Sequence, residues 1–155
     1  MDLNKLKQPF PANSVMWRVG ATTKDKTKGI ALAYIDARDV MERLDEVCGA
    51  ENWQIRYPWS EGGRLCCEIG IKIGDSWVWK ANGAGDTHVE AEKGAFSDAS
   101  KRAGVCWGIA RYLYDLPNSW VPLEQRGNSY DFSKETKKEL SERLAQWQEK
   151  YFSRS

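Results

Sequence analysis

The chain has 155 residues, 23 Lys+Arg against 22 Asp+Glu, a formal net charge of +1 and 41% hydrophobic residues. This length is typical of one domain, and the hydrophobic fraction supports a core rather than wholesale disorder. No apolar run approaches the ~20 residues of a membrane span, and the N-terminus lacks a signal-peptide core, so we expect a cytoplasmic protein with no membrane partner. A near-zero charge requires any polyanion to meet a local basic patch.

The first third of the chain predicts two strands and a helix. Residues 1–15 contain two prolines and are expected to form an extended arm. Val15–Gly20 is typical of a strand, Thr22–Gly29 of a polar basic turn, and Ile30–Ile35 of the returning strand. A helix is then expected to begin after its N-cap Asp36 and to end at Gly49.

The middle of the chain predicts three more strands and a long helix. Trp53–Trp59, Arg64–Ile73 and Ser76–Ala81 have strand composition, and Ile69, Ile71 and Ile73 alternate with polar residues on the second of them. A glycine-bearing loop at Asn82–His88 leads to a helix expected over Val89–Leu113.

A polar loop with Trp120 and Pro122 follows, and an amphipathic helix is expected from its cap Ser133 to Phe152. The resulting class is α+β, with an antiparallel β-meander (a β-β-β-α core) packed against a long helix, and a C-terminal helix. We expect three regions, namely an extended arm at 1–15, a core domain at 16–117, and a loop with the C-terminal helix at 118–155.

The sequence carries little enzymatic signal. Cys48, Cys66, Cys67 and Cys106 have no C-x-x-C spacing, and His88 is the only histidine, so we expect reduced, packed thiols and no metal site. Gly-Lys never occurs, which excludes a Walker A loop, and the G-x-G at Asn82–His88 has His88 where the dinucleotide fingerprint needs glycine. A metal-dependent nuclease would have to use Glu68 with Asp75, or the single E-x-K at Glu135–Lys137. We therefore expect no cofactor and a non-enzymatic protein.

Basic residues give a stronger signal at the first hairpin. An 11-residue window holds four cations and one acid, Asp25; the cations are Arg18, Lys24, Lys26 and Lys28. On paired strands these could follow phosphates, which dominate affinity for nucleic acid. The alternative is a solvated turn that is rich in lysine.

The long helix suggests a second basic surface. On one continuous helix Lys93 and Arg111 would lie ~five turns apart on the same line. Small and basic residues flank that line, namely Ser97, Ser100, Lys101, Gly104 and Gly108. An adjacent apolar flank should pack on the sheet; it comprises Phe96, Ala99, Ala103, Trp107 and Ala110. Small residues allow close approach of either a phosphate backbone or another helix, and Arg102 points to the far side.

Two segments resemble a known family. YIDARDVMERLDEVCGAENW (Tyr34–Trp53), followed by the meander and by FSDASKRAGVCWG (Phe96–Gly108), resembles the annealing domain of the eukaryotic Rad52 recombination protein. The segment KRAGVCWGIARYLYDLP resembles the phage Sak-like annealing proteins more closely still. The resemblance covers about Trp17 to Pro117.

This resemblance implies homo-oligomeric rings of about ten or eleven subunits, with single-stranded DNA in a basic groove, backbone inward and bases exposed. Position by position it implies DNA contacts at Arg18, Tyr34, Lys101 and Arg102. The family has a further arginine where this chain has Val105, and either Arg111 or Lys93 is the expected replacement.

The predicted function is ATP-independent binding of single-stranded DNA and annealing of complementary strands in homologous recombination and double-strand-break repair, in a protein encoded by a bacteriophage. Annealing is downhill, since stacking supplies roughly 1–2 kcal/mol per step, so no nucleotide hydrolysis is needed. A single-strand-binding protein is a candidate partner. The alternatives are a single-strand-binding protein without annealing activity and, less favoured, the metal-dependent nuclease.

Overall fold

The computed structural model describes residues 1–61, 64–84 and 91–154, and the fold is α+β with antiparallel sheets. The strands are β1 Met16–Thr22, β2 Lys28–Tyr34, β3 Trp53–Glu61, β4 Arg64–Ile73, β5 Ser76–Ala84, β6 Trp120–Pro122, β7 Glu124–Arg126 and β8 Ser129–Asp131. The helices are α1 Ala37–Cys48, α2 Ala91–Cys106 and α3 Lys134–Ser153. Short 3-10 turns occupy Leu3–Lys7, Ala12–Ser14, Ala50–Asn52 and Arg111–Asp115.

The chain divides into two compact units. The first unit comprises Met1–Gln8 and Ile35–Tyr112, and contains α1, α2 and the sheet β3-β4-β5. The second comprises Pro9–Tyr34 and Leu113–Ser155, and contains the sheet β1-β2-β6, the β7-β8 hairpin and α3. The boundaries expected at residues 16 and 117 stay a prediction.

The core of the first unit lies between α2 and one face of β4. Cys67, Ile69 and Ile71 are fully buried, as their alternation predicts. Trp107 is buried on the same side, and its indole Nε1 donates a hydrogen bond to the carbonyl of Ile69 at 2.9 Å. Ile73 was expected to share this face, but its side chain is 40% exposed because β4 ends there in a turn at Gly74.

The first helix is set by its N-terminal cap. The carboxylate of Asp36 accepts from the amide of Asp39, whose own carboxylate accepts from the amide of Asp36, so both orphan donors are satisfied. Gly49, with φ of 87°, ends the helix. These features confirm the predicted limits of α1.

The second helix ends earlier than predicted, at Cys106 rather than Leu113. Gly108 has φ of 101°, the amide of Ile109 donates to the carbonyl of Gly104, and the amide of Gly108 donates to that of Val105. This is a Schellman motif, in which a left-handed glycine closes a helix. A Cβ at residue 108 would lie 2.7 Å from Lys7 Cγ, so the exposed Lys7 side chain would have to shift to admit one.

Gly104 of α2 makes room for α1, because a Cβ there would lie 3.1 Å from Cγ1 of Val40. At this position the close neighbour is therefore another helix. The side chain of Ser100 on α2 is also buried. Phe96 was expected in the core but is 53% exposed, with its ring edge-on to Tyr57 at 4.8 Å. Ala99 and Ala103 are fully buried, as predicted.

On the outer face of the β3-β4-β5 sheet, the indole of Trp79 lies flat against β4. Trp79 lies opposite Gly70, and a Cβ on that glycine would fall 2.7 Å from the ring. Arg56 stacks on Trp79 with its Cζ 3.7 Å from the ring centroid, and also pairs with Glu68 at 3.0 Å. Trp77 stacks beside Trp79, with centroids 6.2 Å apart. The absence of a side chain at residue 70 is therefore what lets Trp79 lie against β4.

Replacing Gly70 with alanine is expected to destabilise the protein by about 1–3 kcal/mol, because the indole must lift off the strand and lose its contact with Arg56. A thermal melt followed by circular dichroism should show a fall of about 2–4 °C per kcal/mol. Gly94→Ala is the matched control, because nothing lies within 4 Å of its Cβ position on α2. There the same substitution should stabilise by about 0.5–1 kcal/mol. Equal melting of the two variants would contradict the steric role of Gly70.

The second unit packs α3 against one face of the β1-β2-β6 sheet. Trp17, Ala31 and Val121 are buried on that face, and Trp17 Nε1 donates to Ser141 Oγ at 3.3 Å. Leu140 and Leu144 of α3 are buried with Phe132. The Ser133 side chain caps α3 by accepting from the amide of Thr136, as predicted.

Two segments differ from the sequence prediction. The expected polar loop after Pro117 contains β6, which pairs with β2, and the β7-β8 hairpin, which turns at Gly127 with φ of 62°. Strand β6 is only three residues long, so its partner strand rather than its own composition decides its conformation. The expected extended arm instead contains two 3-10 turns, because Asp2 caps the first and Leu6 is completely buried.

Candidate nucleic-acid interface

One face of the β1-β2-β6 sheet presents cations and aromatics together. Arg18 lies opposite Leu32 and Met16 lies opposite Tyr34, so these residues share a face. Arg18 is exposed, and its Cζ lies 5.8 Å from the ring centroid of Tyr34. The resemblance implies a DNA contact at each of these two residues, and the structure places them side by side.

The register extends this face across all three strands. Lys28 and Ile30 alternate with buried Gly29 and Ala31, so they share the face of Leu32 and Tyr34. Ile30 lies opposite Trp120 of β6, which is 49% exposed. We call this surface the basic face; it carries Arg18, Lys28, Tyr34 and Trp120. The strands β1, β2 and β6, all of them described, contain no Asp or Glu.

The hairpin tip holds two more of the predicted lysines, Lys24 and Lys26. Lys24, Lys26 and Lys28 are exposed, and Lys26 has φ of 61° with its Nζ donating to Thr22 Oγ1 at 2.9 Å. Asp25 accepts from the Thr23 and Thr27 hydroxyls at 2.7 and 2.8 Å, and these bonds, the one from Thr23 first, lower the pKa of its carboxyl. The one acid in the window is therefore used to hold the turn.

The DNA-contacting residues predicted on α2 do not lie on the basic face. The side chain of Lys101 is half-buried, whereas Arg102 is exposed and pairs with Asp98 at 3.2 Å. Lys93 lies in the first turns of α2, but its side chain is outside the described part of the structure. These residues belong to the first unit, and the basic face belongs to the second.

Arg111 does not continue the line of Lys93, because α2 ends five residues before it. Its guanidinium instead donates to the carbonyl of Val105 at 2.8 and 3.0 Å and to that of Cys106 at 2.9 Å. Its charge therefore stands beside position 105, where the family arginine is missing. This contact also neutralises part of the negative end of the helix dipole.

The sequence analysis missed two residues, Lys80 and Trp120, that lie beside predicted site residues. Lys80 stands 4.6 Å above the Trp107 ring and donates to the carbonyl of Cys106 at 3.4 Å, so it joins Arg111 at the end of α2. The sequence predicts a polar loop at Trp120, because a strand of three residues is too short for a pattern to show.

In the described part of the chain, the candidate catalytic residues form no cluster that could hold a metal ion. No group of three or more His, Cys, Asp or Glu that could hold a metal ion occurs in residues 1–61, 64–84 and 91–154. Glu68 pairs with Arg56 at 3.0 Å, and Lys137 of the E-x-K motif pairs with Asp131 at 3.0 Å. His88 and the rest of the glycine loop at 85–90 lie outside the described residues, and Asn82 to Ala84 complete β5.

The cysteines are free thiols. Burial raises the pKa of the Cys67 thiol to about 11 and also raises that of Cys48, which disfavours the thiolate at both positions. Within the described ranges, no helix is long and apolar enough to cross a membrane.

Comparison with known proteins supports the family resemblance. A family model described as Rad52/22 family double-strand break repair protein matches residues 3–61 and 62–132. A protein named single-stranded DNA-binding protein DdrA from Deinococcus deserti is 40% identical over 123 residues, covering 76% of this chain and 58% of that protein. Its namesake from Deinococcus radiodurans is 38% identical over 124 residues, covering 76% of this chain and 56% of that protein. The chain thus spans a little over half the length of these relatives. No solved structure matches it.

Proposed function

The chain belongs to the Rad52/22 family of double-strand break repair proteins, and on that premise we propose that it binds single-stranded DNA and anneals complementary strands without ATP. The family match carries the proposal, because it spans both the basic face strands β1 and β2 and the α2 residues Lys101 and Arg102. Both Deinococcus relatives are named single-stranded DNA-binding protein, which supports single-stranded DNA as the ligand.

The basic face is the part of the binding surface that we place in the second unit. Arg18 and Lys28 would contact phosphates, Lys24 and Lys26 would extend the track at the hairpin tip, and Tyr34 would hold Arg18 in place. Because the three strands carry no acid, Arg18 and Lys28 have no carboxylate on their own sheet to offset their charge. In the first unit Lys93, Lys101, Arg102 and Arg111 are the proposed contacts.

We further propose that the protein acts as a homo-oligomeric ring of about ten or eleven subunits, as the resemblance implies. Such an assembly multiplies a few cations per subunit into a continuous track. A non-enzymatic role, an origin in the phage Sak-like branch, action in the bacterial host cytoplasm and contact with a single-strand-binding protein belong to the same proposal.

The direct test mixes complementary fluorescent oligonucleotides with the protein in EDTA and without ATP. We expect pairing faster than the spontaneous rate, because the protein removes hairpins and holds phosphates while base pairing supplies the free energy. A non-complementary pair is the control for aggregation. Tight binding without acceleration would favour the alternative, a single-strand-binding protein that does not anneal. Cleavage that appears only with added Mg²⁺ would instead favour the nuclease.

A further inference from the structure

Trp120 is a large aromatic side chain exposed on the edge strand of the β1-β2-β6 sheet, on the face that carries Arg18 and Lys28. Its neighbours Ile30 and Lys28 are on the adjacent strand, and Pro122 lies opposite Lys28. The buried position of Val121 shows that β6 follows the same alternation as β2, so the indole projects from the basic face. Nearly half of its surface is exposed.

The geometry around Trp120 suits an extended nucleic-acid strand. With strands ~4.8 Å apart and ~3.4 Å per residue, Lys28 lies about 8 Å and Arg18 about 12 Å from Trp120 in the plane of the sheet. Cations at these separations from an exposed ring allow phosphates to be neutralised while a base reaches the indole. This combination of a basic track with an aromatic platform is how proteins bind single strands without sequence preference.

We infer that Trp120 is a base-stacking residue, on which one base of a bound single strand lies face to face while Arg18 and Lys28 hold the flanking phosphates. The inference rests on the proposed function and adds a contact to the bases, which cations alone do not provide. Stacking uses the π-face of a base and leaves its pairing edge free. A base held on Trp120 therefore remains available to a complementary strand.

The charge pattern favours DNA over a protein as the occupant. Trp, Tyr and Arg are enriched in protein–protein interfaces as well, so the choice between occupants depends on the charge of the surrounding strands. Here the described strands around Trp120 supply two exposed cations and no acid, which complements a polyanion.

The test compares two ligands and four proteins by fluorescence anisotropy. The ligands are a labelled oligo-dT and an abasic oligonucleotide of the same length, which keeps the phosphates and removes the bases. Trp120→Ala should weaken oligo-dT binding about five- to hundredfold and leave abasic binding and the salt dependence unchanged. Trp120→Phe should retain most of the affinity, because a smaller aromatic face remains.

Trp59→Ala is the matched control, because Trp59 is 47% exposed and lies on the other unit. It should bind both ligands as the unchanged protein does, and circular dichroism should show that all variants are folded. Unchanged oligo-dT binding by Trp120→Ala, or an equal loss for the abasic strand, would overturn the stacking role. An equal loss of oligo-dT binding in Trp59→Ala would also overturn it. If Trp120→Ala binds DNA normally but changes the oligomeric mass, the indole belongs to a protein contact and the stacking role is again overturned.

The outcomes separate this inference from the proposed function. If the unchanged protein binds neither ligand, both fail. If it binds oligo-dT and Trp120→Ala binds equally well, the proposed function stands and only the stacking role is lost.

Discussion

Replacing Arg18 and Lys28 together with alanine is expected to weaken single-stranded DNA binding about twentyfold at 0.1 M salt. Each lost phosphate contact on a single strand reduces the slope of log K against log salt by about 0.7, so the double variant should have a slope shallower by about 1.4. Both side chains are exposed on the basic face, so we expect the fold to be unaffected. Anisotropy titrations with labelled oligo-dT at several salt concentrations measure both quantities.

The matched control removes the same charge from another surface. Lys138 and Lys150 are exposed on α3, and replacing both with alanine also removes two positive charges. We expect this variant to keep the original slope and to lose little affinity. Equal losses in the two double variants would mean that net charge, and not the placement of cations on the basic face, governs binding.

Replacing Arg43 with methionine is expected to destabilise the protein by about 2–4 kcal/mol. Arg43 is only 8% exposed, and its Nη1 donates to the carbonyls of Leu6 and Gln8 at 3.1 and 2.7 Å. Burial lowers the pKa of the guanidinium, but it stays charged throughout the ordinary pH range. Methionine fills similar space and leaves both carbonyls without this donor, at about 1–3 kcal/mol for each buried group.

A melt followed by circular dichroism should therefore fall by roughly 5–15 °C in the Arg43→Met variant. Arg38 provides the control on the same helix, since its side chain is 83% exposed and meets Asp36 only at 3.6 Å. Arg38→Met should change the stability by less than about 0.5 kcal/mol. If the two variants melt together, Arg43 does not hold the N-terminal segment in the first unit.

The placement of charge reconciles a near-neutral chain with the proposed polyanionic ligand. Arg18 and Lys28 stand on strands that contain no acid, and Asp25 is tied to threonine hydroxyls in the turn beside them. Elsewhere some acids pair with nearby cations, as Glu68 does with Arg56 and Asp98 does with Arg102. The net charge of +1 therefore says little about the potential at the basic face.

The sequence alone determined the features that depend on short-range chemistry. The capping box of Asp36 and Asp39, the stop at Gly49 and the cap at Ser133 are recognisable because a few neighbouring residues satisfy the backbone donors and acceptors. Strand β4 was predicted over its full length, since the alternation of its buried residues matches the pleat of a strand. The resemblance to the family was also evident from the amino-acid sequences of two segments, Tyr34–Trp53 and Phe96–Gly108.

The tertiary structure decided what depends on distant partners. Strand β6 exists because β2 offers it a hydrogen-bonding edge, and that pairing turns Trp120 onto the face of Arg18 and Lys28. Gly104 serves the approach of α1, and Gly108 ends α2 so that Arg111 turns back to the carbonyls of Val105 and Cys106. Local composition leaves such choices open, because their free energy comes from contacts between residues far apart in the chain.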